Sequence, residues 1–182
     1  MLQHIQEIDD FVLDWIGRLH TPILNRLMIL FSLLGSKGVV WFAISILCLF
    51  DDDMIIIGVG FIVALGLTTA VGEGIIKHAV GRIRPCHKLE YSDLLTRRPD
   101  YYSFPSGHTA SSFSVFAVAF WRCDTTTWIG ILLLATLIGF SRIYLRVHYL
   151  TDVLCGIILG IFCGSTAVLI MNRLVQFAVR RS

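Results

Sequence analysis

From Met54 to Gly72 the chain runs nineteen residues without a charge. As a helix such a run rises about 28 Å, close to the hydrocarbon thickness of a bilayer. Comparable apolar runs extend from about Ser106 to Trp121, from about Thr127 to Leu145 and from Thr151 to about Met171. A fifth, VVWFAISILCLF, stops at Asp51, Asp52 and Asp53; to cross a membrane it must begin near residue 33, with Lys37 snorkelling. The Met54 helix is expected to continue through Glu73 and Lys77 to about Gly81. Upstream, Ile5, Ile8, Val12, Trp15, Ile16 and Leu19 recur at three- and four-residue steps while Glu7, Asp10 and Asp14 point elsewhere, which predicts an amphipathic helix at the membrane surface. Thr21-Pro22 supplies a cap and an N1 proline. Residues 23 to 34 are apolar except for Arg26 and too short to cross, so they predict a partly inserted helix. The pattern therefore gives an all-α polytopic membrane bundle of about five transmembrane helices behind N-terminal surface helices, or six spans if residues 22–34 cross. One domain is expected over 1–182, with 1–34 as its surface part and 35–182 as its helix bundle.

Composition supports this reading. With 55% hydrophobic and 15% charged residues and a mean hydropathy of +0.75, the chain has too little polar surface to cover a water-soluble core. Four prolines and fifteen glycines without a three-residue period exclude disordered and collagen-like chains. A net charge of +2 without an aromatic-basic tract excludes nucleic acid as a partner. Cys48, Cys86, Cys123, Cys155 and Cys163 form no C-x-x-C pair and read as small core residues. The N-terminus, polar and acidic from its start, is unlike a cleavable signal. Five spans put the 82–104 loop and the 141–150 turn on one membrane face. Asp51 to Asp53, Arg122 to Thr127 and the C-terminus then share the other.

That parity gathers three polar clusters on one rim, where charges are costly and each marks a candidate function. In KHAVGRIRP, residues 77–85, seven helical steps would return Arg84 to within about 20° of Lys77, so that two cations converge on one anion. In YSFPSGHTASS, residues 102–112, Ser106, Gly107 and His108 would offer free N–H donors at a helix N-terminus. In SRIYLRVHYLTD, residues 141–152, His148 and Asp152 are four apart, so the carboxylate could hold one ring nitrogen and leave the other as a nucleophile. Arg142 joins them only if the chain turns between the last two spans. Snorkelling cations, a helix-start histidine and an Asp that merely caps its helix are the bland alternatives for each cluster alone. Together the clusters form an inventory for gripping a phosphate and transferring it through histidine.

Lys77-x6-Arg84-Pro85, Pro105-Ser106-Gly107-His108 and Ser141-Arg142-x5-His148-x3-Asp152 resemble the three signature motifs of the type-2 phosphatidic acid phosphatase superfamily, membrane lipid phosphatases related to vanadium haloperoxidases. The resemblance covers about residues 33–171. It implies that His148 attacks phosphorus to form a phosphohistidine, oriented by Asp152, and that His108 protonates the leaving oxygen and later helps water release phosphate. It further implies that Lys77, Arg84 and Arg142 neutralise the phosphoryl oxygens, aided by Ser106 and the Gly107 amide. No metal or other cofactor is implied, and the dense carboxylates Asp51 to Asp53 fall on the far face as a solvated turn. Glu73, His78, Arg82, His87, Tyr102, Tyr144 and Arg146 could touch substrate, but their spacing does not decide it.

The expected substrate is a lipid phosphate or diphosphate of the undecaprenyl diphosphate, phosphatidylglycerophosphate or phosphatidic acid type, met in the cell membrane. A lipid phosphotransferase would use the same site with another acceptor. A non-enzymatic transporter fits poorly, since the charges crowd one rim instead of lining a path. No motif specifies an oligomer. The site face carries Lys77, Arg82, Arg84, Lys88, Arg97, Arg98, Arg142 and Arg146, against Arg122, Arg173, Arg180 and Arg181 opposite. The positive-inside rule alone would turn the site to the cytoplasm. The resemblance implies the extracytoplasmic face and an N-terminus on that same side, since the extra span that precedes the surface helices in several members is not expected here.

Overall fold

A computed structural model describes residues 2–90, 93–99 and 102–180; Arg181, counted above on the far face, lies outside them. The described elements are helices and turns: α1 (Leu2–Gly17), α2 (Pro22–Leu34), α3 (Val39–Cys48), α4 (Ile55–Thr68), α5 (Lys77–Val80), α6 (Gly107–Arg122), α7 (Thr125–Tyr144) and α8 (Leu150–Val179). Local chemistry sets several ends. Thr21 Oγ1 accepts the Leu24 N–H at 3.3 Å with Pro22 next to it, and Asp124 accepts the N–H groups of Thr126 and Thr127 to start α7.

Three stretches are long and apolar enough to cross a membrane: Ile55–Lys88, Thr125–Tyr144 and Leu150–Phe177. A fourth is reached if Pro22–Leu34 and Ser36–Cys48, bent by 47°, act as one span. The expected span from residue 33 with a snorkelling Lys37 is corrected here: Lys37 (φ 51°) and Gly38 (φ 68°) both leave helical geometry. The ten residues of α3 rise only about 15 Å, so a crossing must draw on α2 across the bend. The expected span at 106–121 is α6, whose sixteen residues rise about 24 Å. It is the central helix, touching α3, α4, α7 and α8.

The α6–α8 contact is the most extensive in the bundle. Gly156, Gly160 and Gly164 stand one turn apart on α8 and face Ser106, Ala110 and Ser114 of α6. A Cβ on Gly156 would lie 2.9 Å from the Ser106 carbonyl oxygen, and one on Gly160 would lie 2.9 Å from both Phe113 Cβ and the Ser114 nitrogen. Only glycine permits this backbone approach, which in lipid supplies the dispersion contact that holds helices together. One core, with Trp41, Phe61, Leu65, Val115, Val118 and Ile138, fills the bundle centre. A second, with Leu13, Ile16, Met28, Cys86, Tyr144, Val147 and Tyr149, lies under the rim. Large apolar side chains such as Leu33, Phe50, Ile75, Leu133, Ile158 and Phe162 are exposed around the outside, as a lipid-covered surface requires.

The N-terminal helix divides its faces differently from the expected single apolar stripe. Asp9, Leu13 and Ile16 are buried against the bundle, while Ile8, Phe11 and Trp15 are exposed. Ile16 thus belongs to the protein core, because a helix wedged between bundle and lipid needs apolar residues on both sides.

Gly160→Val should separate α6 from α8 and lower stability by about 1–3 kcal/mol, read as a fall in melting temperature of the detergent-solubilised protein. Gly66→Ala, where an added Cβ meets nothing within 4 Å, should be neutral or stabilising by about 0.5–1 kcal/mol.

Candidate active site

The first cluster begins on an irregular helix. Beyond Thr68 the backbone continues as a π-helical stretch, Thr69–Ile76, before α5, a local widening often found where side chains are aimed at a site. Gly81 then ends the helix at φ 62°, its N–H closing on the Lys77 carbonyl, and Arg84 is extended. The expected helical alignment of Lys77 with Arg84 is therefore corrected. The left-handed glycine and the proline after Arg84 stop the helix, and the two cations approach by the chain turning back. Arg84 is buried, and its Nη1 donates to the Val147 carbonyl at 3.0 Å and to His148 Nε2 at 2.9 Å.

The second and third clusters meet through the backbone. Ser106 precedes α6, and its N–H, expected to be a free donor, is instead bonded to the Asp152 carbonyl at 3.0 Å, which corrects that expectation, while its fully buried Oγ accepts from Thr109 Oγ1. The turn from Arg142 to His148 closes by two bonds, from the Val147 and His148 N–H groups to the Arg142 carbonyl, with Arg146 left-handed at φ 54°. This is the turn that the third cluster required.

A guanidinium only donates, so His148 Nε2 must accept, and the neutral ring carries its proton on Nδ1. Nδ1 faces Asp152 Oδ2 at 3.5 Å, longer than a normal hydrogen bond. Asp152 Oδ2 also accepts the Tyr149 N–H at 2.9 Å, reaching back over the first turn of α8 as an N3 cap does. The carboxylate thus caps its helix and faces the imidazole at once. Burial pushes the His148 pKa well below its ordinary value of 6.5; Arg84, Arg142 and Lys77 push the same way, and the Ser103 backbone only opposes them.

Around this pair stand the other expected groups. His108 is within electrostatic reach of Arg142, His148, Arg84 and Lys77, and its buried Nε2 has no hydrogen-bond partner among the described residues. Arg142, buried, donates to Ser32 Oγ on α2. Lys77 holds both Glu73 oxygens at 2.6 Å, and that carboxylate lies against Gly107, where a Cβ would meet Glu73 Cδ at 3.2 Å. Lys77, Arg84 and Arg142 thus lie within electrostatic reach of both imidazoles, the kind of cationic surrounding that suits an oxyanion. Among the described residues no three His, Cys, Asp or Glu side chains form a group able to hold a metal ion.

Sequence reasoning left several roles open or unseen. Arg82 binds Asp9 and Asp152 at 2.7 and 2.8 Å. Ser32 and Asp9 carried no motif. Tyr144 is a core residue, its hydroxyl donating to Asn25 Oδ1 at 2.6 Å. Arg146 donates to the Leu13 carbonyl, His87 lies 3.4 Å from the Pro99 carbonyl, and His78 and Tyr102 meet edge to face at 6.3 Å.

The PAP2 superfamily model matches residues 57–176. An undecaprenyl-diphosphatase from Sulfolobus acidocaldarius is 29% identical over 137 residues, which span 75% of this chain and 66% of that protein. A lipid A 4'-phosphatase from Bacteroides thetaiotaomicron is 26% identical, spanning 96% of this chain and 81% of the relative. The crystal structure of Aquifex aeolicus LpxE superposes with a TM-score of 0.78 at 30% identity, covering 88% of this chain and 94% of that one.

Glu73 occupies, with its own negative charge, space beside the cations that an incoming anion would contest. Glu73→Gln should therefore tighten binding of inorganic phosphate by about fivefold, equivalent to about 1 kcal/mol at a partly exposed pair. Titration calorimetry checks this, and weaker binding would count against it.

Proposed function

Because the chain belongs to the PAP2 superfamily, we propose that it is a lipid phosphatase that cleaves a phosphate monoester or diphosphate through a phosphohistidine on His148. It is a multi-pass membrane protein and a phosphoric ester hydrolase. The Nε2 lone pair of His148 attacks phosphorus; the bond to the leaving oxygen breaks, and that oxygen takes its electron pair and a proton from His108. His108 then accepts a proton from water, the water oxygen attacks the phosphohistidine, and the N–P bond returns its pair to His148, freeing inorganic phosphate. Asp152 keeps the remaining ring proton on Nδ1 and balances the charge of the phosphorylated ring. Lys77, Arg84 and Arg142, with Ser106 and the Gly107 N–H, stabilise the equatorial oxygens in the transition state. No step calls on a metal.

One observation carries the reading: a buried imidazole presents Nε2 to the Arg84 guanidinium at 2.9 Å, with a carboxylate 3.5 Å from Nδ1. The substrate is a membrane lipid carrying a terminal phosphate, such as undecaprenyl diphosphate, phosphatidylglycerophosphate or phosphatidic acid. The site opens to the extracytoplasmic face of the cell membrane, and residues 1–182 act as one domain.

Phosphate release from a panel of lipid mono- and diphosphates, assayed in chelator, tests substrate class and metal independence together. His148→Ala should reduce release by about 10³-fold or more, and His108→Ala by about 10²- to 10⁴-fold. Undiminished release by His108→Ala would remove its acid-base role. The lowered pKa of His148 fixes the sign of the pH dependence: the ring is protonated only at more acid pH, so its neutral form persists as pH falls through 6.5. The acid limb of kcat/KM, which reports the free enzyme, should therefore lie below 6.5. A midpoint at or above that value would contradict the assignment.

A further inference from the structure

The bundle buries a second carboxylate that no motif contains. Asp9 is fully buried on the inner face of α1, yet it is fully engaged. Its Oδ1 accepts the Thr151 N–H at 3.0 Å, and its Oδ2 accepts from Thr151 Oγ1 at 2.5 Å and from Arg82 Nη2 at 2.7 Å. Arg82 in turn donates through Nη1 to Asp152 Oδ1 at 2.8 Å and to Thr151 Oγ1 at 2.7 Å. Its Nη2 also reaches Gln6 Oε1 at 3.0 Å, and its guanidinium carbon sits 3.9 Å over the Tyr149 ring. One planar cation is thus pinned from four sides between two buried carboxylates, on the side of Asp152 away from His148.

This arrangement does two things to Asp152. Because Arg82 fixes Oδ1 and the Tyr149 N–H fixes Oδ2, the carboxylate cannot rotate, and Oδ2 stays aimed at His148 Nδ1. Because Arg82 divides its single positive charge between Asp9 and Asp152, the second keeps negative charge for the imidazole. Were Asp9 neutral, Arg82 would spend its charge on Asp152 alone, and the ring would lose part of the field that stabilises it once Nε2 is bonded to phosphorus.

We propose that Asp9, acting through Arg82, is a positioning residue for the His148–Asp152 pair, so that the N-terminal surface helix is a working part of the site. The inference rests on the phosphohistidine reading. Asp9 touches neither the substrate cup nor His148; its effect reaches the reaction only through the buried cation it shares with Asp152.

The test measures steady-state phosphate release by the full-length protein in detergent for the parent, His148→Ala, Asp9→Asn, Arg82→Gln and the Asp9→Asn/Arg82→Gln double variant, each with its melting temperature. Asp14→Asn, an equal charge change on the exposed side of α1, is the control and should match the parent. Asp9→Asn keeps an acceptor for the Thr151 N–H and should lower kcat by about 10- to 100-fold, the range for a partner that orients a reacting group. KM should stay within about twofold, since such a loss falls on the transition state. The double variant should lose no more than the worse single one, because both act through the same carboxylate. Parental kcat in Asp9→Asn, a loss matched in KM, or additive losses in the double variant would each overturn the positioning role while leaving the phosphatase reading intact. If Asp9→Asn is too unstable to assay, Arg82→Lys, which keeps the charge but loses the fork, decides: a kcat loss with KM unchanged supports the role, and parental kcat overturns it. A parent protein that releases no phosphate overturns both readings together.

Discussion

Two backbones touching along a glycine seam set the register of everything at the rim. α6 carries Ser106, Gly107 and His108 at its start, and α8 carries Asp152 in its first turn. Gly156, Gly160 and Gly164 let the helices approach until main chain meets main chain, and at the top of the seam the Ser106 N–H reaches the Asp152 carbonyl. In lipid, apolar side chains gain little by leaving one greasy surface for another, so contact geometry decides which helices pair and at what height. The helix start that offers N–H donors and the helix start that presents a carboxylate are thereby level with each other before any loop is considered.

On that frame the site assembles a set of charges that folding alone would disfavour. Lys77, Arg84 and Arg142 are all buried, and burying like charges together is costly unless acceptors meet them. The bundle meets them with whatever lies at hand: Glu73 for Lys77, the Val147 carbonyl and an imidazole nitrogen for Arg84, a serine hydroxyl from α2 for Arg142. On the other side of His148 the balance reverses, with Asp9 and Asp152 sharing Arg82. The imidazole therefore sits on a boundary between cationic side chains and an anionic backing, a field that polarises the ring along its Nδ1–Nε2 direction.

Much of this was legible in the chain because its strongest signals are local. Charge-free runs marked the apolar helices, and the four-residue spacing of His148 and Asp152 set the imidazole beside the carboxylate. What escaped were features decided by partners distant in sequence. The π-helical stretch before Lys77 leaves no composition signature, since its hydrogen-bond register answers to packing. The bend at Lys37 and Gly38 lies between two apolar runs that read as either one span or two. Asp9 lay in plain view at four- and seven-residue steps from Leu13 and Ile16, a carboxylate on an inward stripe. Its partner Arg82 stands in the turn after α5, and no pattern within α1 names it.

The hydrogen bond from Arg84 to His148 Nε2 covers the lone pair that the proposed phosphohistidine route would use. Uncovering it requires something the guanidinium prefers to an imidazole, and a phosphate carrying formal negative charge qualifies through its two-pronged fit to the fork. An uncharged ester offers no such inducement. On the proposed route, discrimination against neutral lipids would be exercised at the His148 lone pair, ahead of any fit between headgroup and pocket walls.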